Sequence, residues 1–297
     1  MERESDRRPA TTGRGAGLGG SWSTRAWVLL AVGLIACVAM YVASLELREG
    51  AGLTSRDSMQ YWAIGLNAAD GRGLSYDGVE PTRMRQPIYP LLIAGTVTAF
   101  GEIVWPIQLL QLLMALLTVI VTACIARELF GARTAGVAGL LAGLYYPFGV
   151  MATEVRTESV FILLIGAGAL TGLRAVRTRD SRWAAACGVF LGLAALTRGS
   201  GMPFLALTPL AAGMALRGGE RPGREPLIMF GLALATLMPW GVRNYVTEGE
   251  FTFSSLEGPA AMYGGTHPLA VQDWAHDIDA IEATAEYREL LGDDPAL

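Results

Sequence analysis

The sequence has no lysine, two histidines and three cysteines among its 297 residues. Two imidazoles, at His267 and His276, are too few for a metal site built on histidine. Cys37, Cys124 and Cys187 lie inside apolar runs without the spacing of metal ligands, so we expect them to be packing residues. The sequence therefore predicts no metal site and no certain cofactor, and nothing in it supports a divalent cation.

Charged residues are also scarce. They make up 17% of the chain, whereas 52% of its residues are hydrophobic and the mean hydropathy is +0.38. This composition is too apolar for a soluble domain. Several apolar runs approach the roughly 20 residues that cross a hydrocarbon core of about 30 Å. We predict an all-α polytopic integral membrane bundle of about seven spans, of which the fifth and sixth are short: 26–45, 105–126, 134–152, 158–176, 183–197, 201–217 and 226–242.

Composition divides the chain into three parts. Residues 1–25 hold five arginines with much glycine and serine, which predicts a disordered cytoplasmic tail, and the apolar run after them predicts a signal anchor. Residues 26–243 form the predicted transmembrane domain, with a long first outer loop at 46–104. Residues 244–297 form an outer, acidic segment in which the apolar spacing over 274–285 predicts an amphipathic helix. The shortness of this segment makes a truncated chain one expectation.

The arginines predict which side of the membrane each loop faces. With the tail inside, the cytoplasmic segments hold 14 of the 23 arginines but 7 of the 27 acidic residues, a net charge of +7 against −11 outside. This bias agrees with the positive-inside rule and predicts a multi-pass protein of the cytoplasmic membrane with its N-terminus inside. Residues 88–104 are apolar enough to span, but a span there would turn the arginine-rich loops outward. We therefore predict a juxtamembrane or re-entrant helix for them on the outer side.

Asp57 is the first candidate for chemistry, in a polar stretch of the first outer loop. A carboxylate held beside the bilayer, with Arg85 following it in the same loop, has the parts for chemistry on a lipid-borne anion. The alternative is a carboxylate that only stabilises the start of a helix, through the macrodipole and the unpaired N–H groups. The catalytic interpretation needs a second acidic group on the same face of the membrane.

Glu154 and Glu158 are the candidates for that second group, at the predicted outer junction of the third and fourth spans. One of them would face Asp57 across a polar cleft and orient an acceptor or a cation, and its place at the helix start favours Glu158. The alternative is that Glu158 caps the fourth span while Glu154 lies in the loop.

Two more arginines of the outer side are candidates for binding an anion. Arg198 lies within residues 197–201, where glycines before a helix N-terminus expose N–H groups that can bind phosphate together with a guanidinium. Arg243 follows Trp240 at the end of a span. The alternatives are a hairpin turn whose arginine reaches the headgroups, and an ordinary aromatic anchor of the interface.

Excluding their ends, the seven predicted spans contain no Asp, Glu, Arg or His, and Gln108 and Gln111 are their main polar residues. Ion-coupled transporters usually carry ionisable groups near mid-membrane. Because every candidate here lies at the outer boundary, the pattern favours interfacial chemistry over translocation.

Six short motifs follow one another along the chain. They are Asp57 with Tyr61, Gln86-Pro87-Ile88-Tyr89-Pro90, Ala126-Arg127-Glu128-Leu129-Phe130-Gly131, Thr157-Glu158-Ser159, Leu196-Thr197-Arg198-Gly199, and Pro239-Trp240-Gly241-Val242-Arg243-Asn244-Tyr245 with Gly249. This ordered set resembles the C-superfamily of membrane glycosyltransferases, and within it the protein mannosyltransferase-like and lipid A aminoarabinose transferase-like branch. The resemblance covers roughly residues 26–265.

The resemblance implies a transferase that moves a sugar from a polyprenyl-phosphate donor to a hydroxyl of a glycan, lipid or protein acceptor at the outer leaflet. Asp57 and Glu158 match its acidic catalytic positions. Ser58 stands where some relatives carry a second acid, which weakens the case for a metal held by adjacent carboxylates. Membrane lipids are expected partners and nucleic acid is not. We expect substrate to be bound by Tyr61, Arg85, Glu154, Arg198 and Arg243.

Two other functions stay open from the sequence alone. One is a lipid or solute transporter, which would move a labelled solute into vesicles without forming a glycosylated product. The other is a truncated, non-catalytic membrane scaffold, which would turn over no donor.

Overall fold

The computed structural model describes residues 22–206 and 223–256. Nine α-helices lie entirely within these residues, with a 3-10 turn at Gly199–Gly201 and, in place of strands, two isolated β-bridges. The predicted all-α fold is confirmed. In chain order the helices are α1 (Thr24–Leu47), α2 (Arg56–Ala69), α3 (Ile88–Phe100), α4 (Trp105–Phe130), α5 (Ala132–Gly143), α6 (Tyr146–Thr153), α7 (Glu158–Thr178), α8 (Ser181–Ala195) and α9 (Glu225–Glu248).

Four of these helices, α1, α4, α7 and α9, are long and apolar enough to cross a membrane. The pair α5 and α6 makes a fifth candidate span, bent by 50° at the break between its halves. These five correspond to five of the predicted spans. The predicted span at 183–197 is α8, which is apolar but has 15 residues. Most of the span predicted at 201–217, almost all of the N-terminal tail and the amphipathic helix predicted over 274–285 lie outside the described residues.

Helix α1 illustrates how the bundle packs. Its buried residues follow one another at spacings of three and four and therefore form one stripe along the helix: Ala26, Leu30, Gly33, Cys37, Tyr41 and Ser44. The other faces expose large apolar side chains such as Trp27 and Ile35, the latter 69% exposed. Lipid tails are as apolar as leucine, so small residues that let backbones approach, rather than hydrophobicity, select the packed face of a membrane helix.

Glycines set the distance between neighbouring helices. A Cβ placed on Gly143 of α5 would lie 1.9 Å from the carbonyl oxygen of Gly33 in α1. A Cβ placed on Gly188 of α8 would lie 2.3 Å from the carbonyl oxygen of Met229 in α9. At both places the backbones are in contact, and any side chain would force the helices apart.

The connections between helices gather at two opposite ends of the bundle. One end, which we call the loop end, is formed by residues 48–57, 70–88, 101–108, 153–158 and 196–201. Backbone hydrogen bonds join its parts: the Gly52 N–H donates to the Thr153 carbonyl at 3.0 Å, and the Ile88 N–H donates to the Leu196 carbonyl at 3.1 Å.

The opposite end joins the last turns of α4 and α7 and the first turn of α9. Glu128 of α4 pairs with Arg174 at 3.1 Å and Arg177 at 3.2 Å, and Arg179 lies 3.7 Å from Glu225. The described arginine-rich segments that we predict to be cytoplasmic therefore share one end of the bundle, and all the candidate site residues lie at or near the other.

Helix α3 does not cross the bundle. It has 13 residues, about 20 Å of helix, which is short of the roughly 30 Å hydrocarbon core. Its first turn lies at the loop end, where the Tyr89 hydroxyl donates to Gln111 of α4. The start of α4 lies at the same end, because the Gln108 amide donates to the Gly50 carbonyl at 2.9 Å. The prediction that residues 88–104 do not span therefore agrees with the described fold.

Candidate active site at the loop end

The start of α2 fixes the position of Asp57. The Ser58 N–H donates to the Ser55 hydroxyl at 3.2 Å, and the Ser55 N–H donates to the Ser58 hydroxyl at 2.9 Å, which forms a reciprocal capping box. Asp57 lies in this first turn, where the helix dipole favours a negative charge. Its side chain is 60% exposed, so the carboxylate faces out from the loop end.

Arg85 lies beneath Asp57 and is almost fully buried, with 4% of its side chain exposed. Its Nη2 donates to the Asp57 carboxylate at 2.5 Å, and its Nε donates to the Gln60 Oε1 at 3.1 Å. The guanidinium also lies 4.8 Å from the centre of the Tyr61 ring. A buried cation is costly unless it has polar or charged partners. Here the partners are Asp57, Gln60 and Tyr61, which lie on one face of α2.

A second ion pair links α7 to the residues after α8. Arg198 Nη1 donates to the Glu158 carboxylate at 2.8 Å and to the Thr157 hydroxyl at 3.2 Å. Glu158 is the first residue of α7, and its side chain is 23% exposed. The Arg198 side chain is 41% exposed. This second pair is therefore also within reach of solvent.

The two ion pairs belong to one region of the loop end. Arg85 precedes Ile88, whose N–H is bonded to the Leu196 carbonyl, and Arg198 follows Leu196 by two residues. Tyr89 packs edge-on against Tyr61 at 5.2 Å between ring centres. Burial raises the pKa of Tyr89 well above its ordinary value, and the negative charge of Glu158 raises it further. Tyr89 therefore stays neutral near pH 7.

Glu154 is buried, with 3% of its side chain exposed, and its carboxylate pairs with two guanidinium groups. These belong to Arg48, at the end of α1, and to Arg156, between α6 and α7. Their side chains are 33% and 42% exposed. The carboxylate predicted to bind substrate is thus already engaged by two cations of the protein.

Arg243 is also held by protein partners. Its guanidinium donates to Glu248 at 2.9 Å, to Asn244 at 3.1 Å and to the Leu74 carbonyl at 3.3 Å. It lies 5.0 Å from the Trp240 ring. These contacts join the end of α9 to the loop between α2 and α3.

A groove of about 290 Å³ opens beside this region, along α6. It has mainly apolar walls and is lined by Tyr146, Pro147, Val150, Met151, Glu154 and Arg156. Within residues 22–206 and 223–256, no cluster of three or more His, Cys, Asp or Glu side chains is arranged to hold a metal ion.

Sequence reasoning missed the arginines that bind Glu154 and the glutamine that binds Arg85. Gln60 could have been found, because it lies three residues after Asp57 and so shares its helix face. Arg48 and Arg156 carry no local signal that separates them from other loop arginines. Gln108 and Gln111 were recognised as the polar residues of a span, but only the structure shows that both bind backbone carbonyls of residues 151–154.

The exposed apolar helices define an all-α membrane protein, and its candidate site lies at the charged loop end of the bundle. Residues 81–242 match the family model described as dolichyl-phosphate-mannose-protein mannosyltransferase, over more than half of the chain. The chain belongs to this family, which supports a membrane glycosyltransferase activity and confirms the resemblance. No curated protein and no solved structure matches the chain.

The matched range contains only part of the candidate site. Arg85, Glu154, Glu158 and Arg198 lie within it. Asp57 and Tyr61 precede it, and Arg243 follows its last residue. The roles of all these residues stay predictions.

Proposed function

We propose that this protein transfers a sugar from a polyprenyl-phosphate donor to a hydroxyl group of a glycan, lipid or protein acceptor, at the outer face of the cytoplasmic membrane. The family supports glycosyl transfer. The polyprenyl-phosphate donor, the hydroxyl acceptor and the outer face of the membrane are proposed in addition. The observation that carries it is the exposed Asp57 carboxylate, fixed at the loop end by a buried guanidinium.

Asp57 is the proposed general base. The acceptor oxygen attacks the anomeric carbon and forms the new C–O bond, while its proton passes to the Asp57 carboxylate. The bond between the anomeric carbon and the phosphate oxygen breaks, and its electron pair stays with the departing polyprenyl phosphate. A phosphate is a competent leaving group, so the reaction needs a base more than it needs a strong acid. Attack from the opposite face inverts the anomeric configuration.

Arg198 is the proposed ligand of the donor phosphate. Its side chain is 41% exposed and is oriented by Glu158. A guanidinium has five N–H donors in a plane, so one edge can stay on a carboxylate while another edge contacts phosphate. A cation positioned in advance stabilises the charge that grows on the leaving group. In this proposal Glu158 acts by positioning Arg198.

The groove along α6 is the proposed site for the donor's lipid chain. Its walls are mainly apolar, and Arg156, one of its lining residues, precedes Glu158 by two residues. A chain lying in the groove would therefore lead its phosphate towards Arg198. Arg85 and Tyr61 are buried beneath Asp57, which favours positioning roles over direct contact with substrate.

The substitution Asp57→Asn tests the proposal. It keeps the size of the side chain but removes the base, so we expect at least a ~100-fold loss of transfer, the lower range for general base catalysis. The assay uses the purified chain in liposomes with dolichyl-phosphate mannose, radiolabelled in the sugar, and membrane extract as acceptor. It measures labelled product and released dolichyl phosphate.

Asp70→Asn is the matched control. Asp70 follows the last turn of the same helix, and its side chain is 50% exposed in a surface pair with Arg72. Exposed ion pairs contribute little to the free energy of unfolding, so Asp70→Asn should fold normally and keep its activity. Full activity of Asp57→Asn would remove Asp57 from the mechanism. Uptake of label without product would favour a transporter, and the absence of any donor turnover by the unmodified chain would favour a scaffold.

A further inference from the structure

The loop that leads from α1 to Asp57 has an unusual backbone. Four successive residues have positive φ angles: Glu49 at 51°, Gly50 at 83°, Ala51 at 41° and Gly52 at 97°. Two of the four are not glycine, and residues with a Cβ rarely adopt this conformation. Such a conformation persists only when surrounding contacts hold it.

Contacts from two other parts of the bundle hold this loop. The Gly52 N–H donates to the Thr153 carbonyl at 3.0 Å, and the Val155 N–H donates to the Gly52 carbonyl at 3.1 Å. The Gln108 amide of α4 donates to the Gly50 carbonyl at 2.9 Å and to the Thr153 carbonyl at 2.6 Å. The loop is thus fixed to residues 153–155 five residues before Asp57.

The Glu154 side chain lies at the centre of this attachment. Arg48 Nη2 pairs with its Oε1 and Arg156 Nε pairs with its Oε2, so each oxygen has its own guanidinium. Arg48 is the C-cap residue of α1 and the first residue of the loop. One buried carboxylate therefore connects the start of the loop to the junction of α6 and α7.

We infer that Glu154 is a positioning residue that fixes the loop carrying Asp57, rather than a substrate ligand. The carboxylate is buried and each of its oxygens is paired with an arginine, which favours a structural role over contact with a sugar or a phosphate. The inference rests on the proposed function, because a fixed loop matters for the rate only if Asp57 takes part in the reaction.

The test compares Glu154→Gln with Glu154→Asp in the liposome assay with dolichyl-phosphate mannose. A small displacement of a catalytic group costs up to about 100-fold in rate. We expect Glu154→Gln to lower kcat roughly 10- to 100-fold with little change in KM for the donor. Glu154→Asp keeps the charge and should retain more of kcat. Glu102→Gln, at an exposed loop position, is the control and should have no effect.

Hydrogen exchange reports on the loop independently of activity. In Glu154→Gln we expect faster exchange in peptides that cover residues 49–56 and 153–156, and unchanged exchange in α8. Arg48→Gln should reproduce both effects. The double variant Arg48→Gln with Glu154→Gln should be no worse than Glu154→Gln alone, because Arg48 acts through Glu154. If Glu154→Gln does not fold, Glu154→Asp and Arg48→Gln carry the same comparison.

Several results would overturn the inference. These are an unchanged kcat in the variants, a raised KM at constant kcat, or loop exchange equal to that of the unmodified chain. A double variant whose losses simply add would also contradict it. If Asp57→Asn is fully active, the proposed function fails, but the exchange measurements still show whether Glu154 holds the loop.

Discussion

Arg85 shows how a single buried charge can organise a site. Its guanidinium contacts Asp57, Gln60 and Tyr61, which are separated by three and one positions along α2. Gln60 is itself only 3% exposed, and its side-chain oxygen accepts hydrogen bonds from both Nε and Nη2 of Arg85. The exposed carboxylate is thus supported by a buried cation, and a rigid arrangement of this kind is what a general base requires.

We predict that Arg85→Lys is folded but less stable and less active. Lysine keeps the charge but cannot bind Asp57 and Gln60 together or stack on Tyr61. Hydrogen bonds to a charged group contribute about 1.5–3 kcal/mol, so weakening those of the guanidinium should appear as a lower Tm in a thermal unfolding curve in detergent. Arg72→Lys, in an exposed pair, is the control and should leave Tm unchanged. Equal Tm values for the two variants would contradict the role of Arg85.

At the residue level, the sequence indicated where some candidate side chains lie but not their roles, which stay predictions. Asp57 was expected near a helix start, and the capping box around it shows why it lies there. The ion pair between Glu158 and Arg198 joins residues 40 positions apart, and no local pattern encodes such a distance. The burial of Arg85 and Glu154 could not be predicted either, because burial depends on how the loops fold over them.

At the level of helices, α8 and α9 pack by direct backbone contact. Besides Gly188, a Cβ on Gly192 would lie 2.6 Å from the Thr236 Cβ. The pair carries one core cluster of the bundle, which includes Leu191, Leu237 and Trp240. The Trp240 ring lies 5.0 Å from the Arg243 guanidinium, so we expect a change in the distance between α8 and α9 to alter the contacts of Arg243.

We predict that Gly188→Ala destabilises the protein by about 1–3 kcal/mol, the usual cost of overpacking. The added methyl group would meet the Met229 carbonyl oxygen at 2.3 Å, so α8 and α9 must separate. Gly231→Ala is the matched control, because this exposed glycine of α9 has nothing within 4 Å of the position of a Cβ. Thermal unfolding of both variants in the same detergent tests the prediction, and equal losses of stability would contradict it.

The loop between α2 and α3 contains a carboxylate with a specific structural role. The Asp77 Oδ1 accepts hydrogen bonds from the N–H groups of Val79 at 2.8 Å and Glu80 at 3.0 Å, and from the Ser75 hydroxyl at 2.9 Å. These donors, the Val79 N–H first, lower the pKa of Asp77 below its usual 3.8. The loop is therefore stabilised by Asp77 in its ionised form.

The expected pH dependence follows from the lowered pKa. The stabilisation by Asp77 is fully present above the unfolded value of 3.8 and is lost as the pH falls below it through the folded pKa. At pH 7, Asp77→Asn should increase hydrogen exchange at Val79 and Glu80. The difference between the variant and the unmodified chain should shrink as the pH falls below 3.8. A difference that is independent of pH would contradict this account.

The hydropathy of the sequence located the helices but not their packed faces. The predicted spans at 26–45 and 105–126 agree with α1 and α4 to within a few residues, because a long apolar run has few other structures in a bilayer. The break between α5 and α6 was not predicted. Both halves are apolar, and Pro147, in the first turn of α6, was the only local sign of it.

On the scale of the whole molecule, charge separates the two ends of the bundle. The described arginine-rich connections lie at one end, with Glu128 and Glu225 among them. The loop end carries the candidate site and α3. The positive-inside rule therefore predicts that the arginine-rich end of the bundle faces the cytoplasm.

We predict that the loop end faces outward. In a cysteine-free background, Val79→Cys at the loop end should react with a membrane-impermeant maleimide added to intact cells, and Thr178→Cys should react only after the cells are opened. Both positions are exposed, Val79 at 77%, so access to the reagent depends on sidedness alone. Labelling of Thr178→Cys in intact cells would reverse the orientation and exclude an outer active site.

The exposed faces of α1 share no residues with the buried stripe that packs against the rest of the bundle. Val28, Val32 and Ile35 are exposed, whereas Gly33 and Cys37 are packed. Polar replacements confined to such exposed positions leave the interhelical contacts intact. A water-soluble analogue of the bundle can therefore be designed by changing its outer faces alone, which would make the loop end accessible to study without detergent.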